Sequence, residues 1–267
     1  MSPGKVSPLT KVKALVFDVF GTVVDWRSSV TEELTLRAFR KSSSDLPESL
    51  KTRLHTLTEE DWGRFAHEWH ESYGDFCHSF KPETDTWKSV DQHWRDSLVS
   101  LLESWNLAGL FTATEIESLS LVWHRLLPWD DSHDGLEKLG QTYVTSTLSN
   151  GNTNLLRDLA DFGNLGFRKF LSAENFRAYK PNPAVYLGAT RELGFEPDEV
   201  ALVAAHLNDL EAARACGLRT IYVERPREEA WAYDKERCEG AKEWVDLWIG
   251  EEEAGFVTLS ENLKQLA

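Results

Sequence analysis

Hydrophobic positions along the chain fall into two regimes. Residues 12–18 form a short apolar run that ends on Asp18, and a Gly21-Thr22 turn follows at once. A run of that length bounded by a turn predicts a buried strand. From residue 27 to residue 128 the spacing becomes helical. Leu34, Leu36 and Phe39 share one period, and Trp62, Phe65, Ala66, Trp69 and Tyr73 another. A further segment runs through Leu98, Leu101, Leu102 and Trp105, and Ser42-Ser43-Ser44, Pro47 and Pro82 punctuate the series. Four or five helices are expected there.

After Pro128 short strands and helices alternate. Tyr143 to Leu148 is β-branched and predicts a strand, followed by a helix through Leu155, Leu156 and Leu159. Phe170-Leu171 is a weaker strand. Pro183 to Leu193 predicts a helix with proline in its first turn. Val200 to Ala205 is a buried strand, Asp209 to Cys216 a helix stopped by Gly217, and Arg219 to Val223 the next strand. The stretch through Trp244 and Trp248 has no clear period, and Phe256 to Leu259 reads as a last short strand. Strands alternating with helices imply an α/β fold with a parallel, doubly wound sheet. The expected division is a core of residues 11–26 and 130–267, an all-helical insert of 27–129, and a loose tail of 1–10.

Composition narrows the partners. A net charge of -15 disfavours nucleic acid and anionic membrane surfaces. Cys77, Cys216 and Cys238 are odd in number and far apart, which argues against disulfides or a zinc site and for a reducing compartment. The N-terminus has no apolar core of a signal peptide, and no run of 18 apolar residues occurs. A cytoplasmic protein follows as the expectation, with a homodimer allowed.

Polar groups stand at four predicted strand ends or just beyond them: Asp18 with Thr22, Ser149 with Asn150, Lys180 after Tyr179, and His206 with Asp209. In open α/β sheets these ends converge on one crevice. Alone, Asp18 is a nucleophile, a metal ligand or a cap. Together the groups suit a nucleophilic site in which Lys180 keeps two carboxylates ionised.

Phe17-Asp-Val-Phe-Gly-Thr22, Thr147-Leu-Ser-Asn150, Tyr179-Lys-Pro-Asn-Pro183 and Val203-Ala-Ala-His-Leu-Asn-Asp209 occur in the order and spacing of the haloacid dehalogenase superfamily, which the chain resembles. The resemblance implies a Rossmann-like parallel core with a helical cap inserted after the first strand. Superfamily phosphatases carry a second aspartate where Phe20 stands and two aspartates in the fourth motif, where Ala205 replaces the first. Phe20 has no proton to give, and the magnesium site loses a ligand. The pattern is similar to the 2-haloacid dehalogenase branch, which needs neither metal nor cofactor.

By that resemblance Asp18 displaces halide from C2 of a small carboxylate, and water hydrolyses the resulting ester to a 2-hydroxy acid. Lys180 supports the nucleophile, Asp209 activates water, and His206 stands where the branch has an asparagine that holds it. Ser149 maps onto the substrate carboxylate, Asn150 onto the halide cradle and Tyr186 onto a site-facing tyrosine. Val19 and Phe20 form the floor, with Thr22 bonded to Asp18. The branch has a halide-binding arginine in a stretch matched here by Phe65-Ala-His-Glu-Trp-His70-Glu-Ser-Tyr73, so His70 occupies its place, with Arg64 the nearest alternative. A family serine of the fourth motif is Ala204. If either His70 or His206 acts as a cation, activity should fall as pH rises through its pKa. Trp26 and Trp62 are candidate pocket walls. Two other readings remain open: a superfamily hydrolase of another ester or phosphate, and a small-acid-binding protein without catalysis.

Overall fold

The computed structural model describes residues 7–266. Its centre is β1 (Ala14–Phe17), four residues buried on both faces. A two-residue ribbon follows, β2 (Val24–Asp25) pairing antiparallel with β3 (Leu127–Pro128). The other strands are β4 (Val144–Ser149), β5 (Lys169–Ser172), β6 (Val200–Ala204), β7 (Arg219–Val223) and β8 (Leu247–Ile249). They form one sheet in the order β5-β4-β1-β6-β7-β8, with every pairing parallel. Ala14 is level with both Val144 and Val200, so the ends of β1, β4 and β6 open at one edge. This is the Rossmann-like α/β architecture, and the order reverses on either side of β1 as a switch-point site requires.

Between β2 and β3 lie five helices: Trp26–Ser42, Glu48–His55, Glu59–Ser79, Val90–Ser104 and Ala113–Ser120. Three begin with reciprocal capping boxes, Thr58 with Asp61, Ser89 with Gln92 and Thr112 with Glu115, which satisfy the free N–H groups of the first turn. Their shared core is tryptophan. Trp94 and Trp123 stack at 3.8 Å, and Trp69 meets both edge-on while donating its indole N–H to the Trp94 carbonyl. The helix Trp26–Ser42 buries Val30, Leu34 and Ala38, whereas Leu36 and Phe39 face outward, with Phe39 74% exposed. The inward stripe is therefore offset from the one expected, because Val30-Leu34-Ala38 keeps an i, i+4 step that Leu36 and Phe39 do not join.

Two other expectations are corrected. Phe256 to Leu259 is not a strand but the start of the helix Gly255–Leu266, whose Phe256, Leu259, Ser260 and Leu263 are buried at helical spacing. It packs on the helix Ser132–Gly140, where Gly135 touches Phe256 so closely that a Cβ would overlap the Phe256 backbone. Gly135→Ala should destabilise the protein by about 2 kcal/mol, the scale of core overpacking, read as a lower urea midpoint. An unchanged midpoint would contradict that packing. Within the expected N-terminal tail, Pro8–Lys11 form a 3-10 turn that buries Leu9, while residues 1–6 lie outside the described residues. The stretch without a clear period supplies the edge strand β8.

Candidate active site

Asp18 follows β1 directly, and its N–H donates to the Val203 carbonyl of β6 at 3.0 Å. The chain then turns through Gly21 at φ +77°, a left-handed value that glycine adopts without strain. The turn returns Thr22 to Asp18. The Thr22 hydroxyl donates to Asp18 Oδ2 at 2.9 Å and accepts the Ala205 N–H at 2.9 Å, tying the first motif to the fourth.

Lys180 reaches the same point from the loop before the helix Pro183–Leu193. Its N–H donates to Asn150 Oδ1 at 2.7 Å, and Asn150 Nδ2 donates back to the Lys180 carbonyl at 3.4 Å. The neighbouring Tyr179 is clamped by the helical insert, stacked on Trp87 at 4.7 Å with its hydroxyl donating to the Lys88 carbonyl. Lys180 is 7% exposed, and its ammonium lies 3.2 Å from Asp18 Oδ1 and 2.6 Å from Asp209 Oδ2. The other oxygen of Asp209 accepts the Tyr186 hydroxyl at 2.6 Å. Asp209 sits within the first turn of the helix Leu207–Ala215 rather than capping it; His206 holds the cap position.

His206 Nδ1 is 3.1 Å from Asp18 Oδ2, and its Nε2 is 3.4 Å from Glu228 Oε2. Burial disfavours the imidazolium, but hydrogen bonds to both carboxylates outweigh it and raise His206 to about 10. Burial likewise pushes the Asp18 carboxyl up, yet Lys180 and His206 together hold it well below the usual carboxylate range. Burial works against the Lys180 ammonium too, and the carboxylates of Asp209 and Asp18 overcome it. Asp18 is thus held as a carboxylate between two cations.

These groups open into a cavity of about 460 Å³. Asp18, Phe20, His70, Asn150, Lys180, Tyr186, His206 and Asp209 all line it, from both the sheet edge and the helix Glu59–Ser79. Among the expected site residues three stand back from the wall. Val19 has its side chain buried and its carbonyl bonded to Val23 and Val24, Thr22 sits behind Asp18, and Ser149 is fully buried with its Oγ accepting the Gly151 N–H. Ser149 therefore shapes the turn after β4 instead of facing the cavity.

His70 lies flat on Trp26, ring to ring at 4.0 Å, and burial drives its pKa down to about 3. It is a neutral donor. Of the two histidines, His206, raised to about 10, is the one placed to act as a cation near neutral pH, so a fall of activity through its pKa belongs well above neutrality. Arg64 is paired with Asp61 on the outer surface, and among the described residues no arginine lines the cavity. Trp26 and Trp62 are buried and are not part of the wall, Trp26 packing behind His70.

Several wall and support residues lay outside the expected set, among them Tyr73, Cys77 and Glu228. Tyr73 and Cys77 line the cavity beside His70, one and two turns along the same helix face. Their i+3 and i+7 offsets from His70 were a usable signal. Glu228 had none, since it follows β7 in a charged stretch, Arg225-Pro-Arg-Glu-Glu229, without a motif.

The family model of haloacid dehalogenase-like hydrolases matches residues 12–217. (S)-2-haloacid dehalogenase 1 of Pseudomonas sp. (strain CBS-3) is 26% identical over 246 residues, covering 89% of this chain and 97% of that protein. (S)-2-haloacid dehalogenase 4A of Burkholderia cepacia is 28% identical over 218 residues, 80% and 84% of the two chains. The crystal structure of the L-2-haloacid dehalogenase PA0810 superposes with a TM-score of 0.76 at 33% identity, covering 94% of this chain and 99% of that one. With the parallel sheet, the helical insert after its first strand and a buried aspartate–lysine pair at the sheet edge, the chain belongs to the haloacid dehalogenase-like hydrolases.

Proposed function

We propose that this hydrolase is a 2-haloacid dehalogenase acting on a small halogenated carboxylate. One observation carries the reading: an ionised Asp18 faces a partly apolar cavity in which Phe20, 4% exposed and edge-on to Tyr73 at 5.6 Å, stands where a phosphatase has its acid. A carboxylate without a neighbouring acid or a second metal-binding aspartate attacks carbon well and assists phosphate departure poorly. The sequences of the (S)-2-haloacid dehalogenases point to the S enantiomer.

In the first step an oxygen of Asp18 forms a bond to C2 as the carbon–halogen bond breaks, and halide leaves with its electron pair. Lys180 keeps Asp18 ionised without sequestering it, since the ammonium shares itself with Asp209. Phe20, Tyr73 and Cys77 give the alkyl part an apolar wall, and the Asn150 amide and neutral His70 N–H offer donors without charge to the departing halide. In the second step water attacks the ester carbonyl, with Asp209 taking its proton. Ser149 and Val19 serve through the backbone they fix. We place the enzyme in the cytoplasm on its three free cysteines; no helix among the described residues is long and apolar enough to cross a membrane.

Halide release from (S)-2-chloropropionate, followed with and without EDTA, tests this directly. Release that persists in EDTA is expected. Magnesium-dependent liberation of phosphate from an aryl phosphate, with no halide from any 2-haloacid, would sink the proposal.

A further inference from the structure

Glu228 has no part in the chemistry above, yet its side chain is only 4% exposed. Three elements build its seat. Gly21 leaves room for it, since a Cβ there would overlap the Glu228 carboxylate. Trp26 donates its indole N–H to Oε2 at 3.1 Å. His206 completes the seat, strung between Glu228 Oε2 at 3.4 Å and Asp18 Oδ2 at 3.1 Å. A neutral imidazole has one N–H and would turn a lone pair on one of these carboxylates, whereas the imidazolium donates to both. Glu228 does not line the cavity, and His206 does.

The two oxygens of Asp18 are also unlike. Oδ2 accepts from the Thr22 hydroxyl and from His206, while Oδ1 meets the Lys180 ammonium at 3.2 Å. We propose that Glu228 is a positioning residue that holds His206 as a charged donor on Asp18 Oδ2, making His206 and Thr22 the oxyanion hole for hydrolysis of the aspartyl ester. The inference rests on the dehalogenase reading. Oδ1 forms the bond to C2, and Oδ2 remains the ester carbonyl oxygen. Water then bonds to Cγ, the carbonyl π pair moves onto Oδ2, and one water proton passes to Asp209. Collapse re-forms the carbonyl, breaks Cγ–Oδ1, and returns that proton to the departing oxygen. The second water proton leaves as Asp18 re-ionises. Charge growing on Oδ2 meets donors already aligned, so little reorganisation is needed.

Several charged groups surround His206. Asp18 comes from the loop after β1, Glu228 and Glu229 from the loop after β7, and Asp209 from its own helix. Lys180 and His70 share the cavity wall with His206, and Arg27 of the helical insert acts on His70 and on Glu228. Among the described residues only Asp18 and Glu228 bond the ring, and both favour its cation.

Two arms test the proposal. Imidazole 15N NMR of the ligand-free protein, with His206→Asn for assignment, requires no turnover. Both ring nitrogens of His206 should stay protonated from pH 6 to 9, and Glu228→Gln should lower the midpoint by about two pH units. Trp26→Phe, which frees Glu228 from one donor and keeps a ring against His70, should disturb the same resonances without removing the carboxylate. Rapid-quench kinetics with (S)-2-chloropropionate then separate the steps. In Glu228→Gln the halide burst should stay within about threefold of the parent, while ester hydrolysis slows by ~10²-fold and falls further as pH rises through the new midpoint. A parent His206 titrating near 6.5 overturns the proposal. So does a Glu228→Gln enzyme that loses burst and hydrolysis equally at every pH. A parent that releases no halide overturns the dehalogenase reading and the oxyanion role with it, while the titration still judges the Glu228–His206 pair.

Discussion

Asp18→Asn should release no halide above background, a loss on the order of 10⁴-fold or more in kcat/KM, as for removal of other covalent nucleophiles. The neutral amide has nearly the same shape but lacks the anionic oxygen that must form the bond to C2. The surroundings should survive the change. Lys180 keeps Asp209 at 2.6 Å, His206 keeps Glu228 at 3.4 Å, and Thr22 keeps the Ala205 N–H at 2.9 Å. The variant should also bind the 2-hydroxy acid product at least as tightly as the parent, because one carboxylate no longer repels another. Halide assays paired with calorimetric binding of that product check both halves. Turnover within tenfold of the parent would move the nucleophile elsewhere.

Lys180→Met should be nearly as severe, for a different reason. It removes the ammonium that lies between the buried carboxylates of Asp18 and Asp209. Breaking a buried ion pair from one side costs about 3–5 kcal/mol of stability, because the charges left behind are uncompensated. The protein can relieve that strain by protonating one carboxylate, and Asp18 depends on Lys180 and His206 to remain ionised against burial. The direction of the pH effect follows. In the parent Asp18 is ionised throughout the accessible range, since its pKa lies below its ordinary value of 3.8. In the variant that pKa rises, so activity at pH 7 should fall by about 10³-fold and recover in part as pH increases. Rate profiles from pH 5 to 9 and urea unfolding check the two effects. A loss of equal size at every pH would mean that Lys180 acts on the substrate instead of on Asp18.

Much of this site is legible in the chain because a parallel sheet gathers strand ends. Each of Asp18, Asn150, Lys180 and His206 lies within a few residues of an apolar run or helix start that the pattern reveals. Once the strands align in register, those positions must share one edge. Phe20 and Ala205 argue against phosphate chemistry for a similarly local reason, since the missing acid and ligand are absent whatever the fold does. Periodicity fails where packing supplies the choice. Phe256-Val-Thr-Leu259 taken alone is short and apolar enough for a strand, but its buried positions continue at helical spacing to Leu263, and the helix they form packs on Gly135. Leu36 and Phe39 fit a helix but not the face that the insert turns inward.

The order of the residues along the chain was enough to give the class of fold and to expect Asp18 and Lys180 at one sheet edge, where they meet at 3.2 Å, because these depend on side-chain identity and on strand direction. The charge states were settled in three dimensions. Burial beside Trp26 favours the neutral form of His70, and Asp18 together with Glu228, 22 residues away in sequence, favours the charged form of His206. Glu228 in turn is held by Trp26, 202 residues distant. Burial and through-space partners set protonation, and no local pattern encodes either until the chain has closed on itself.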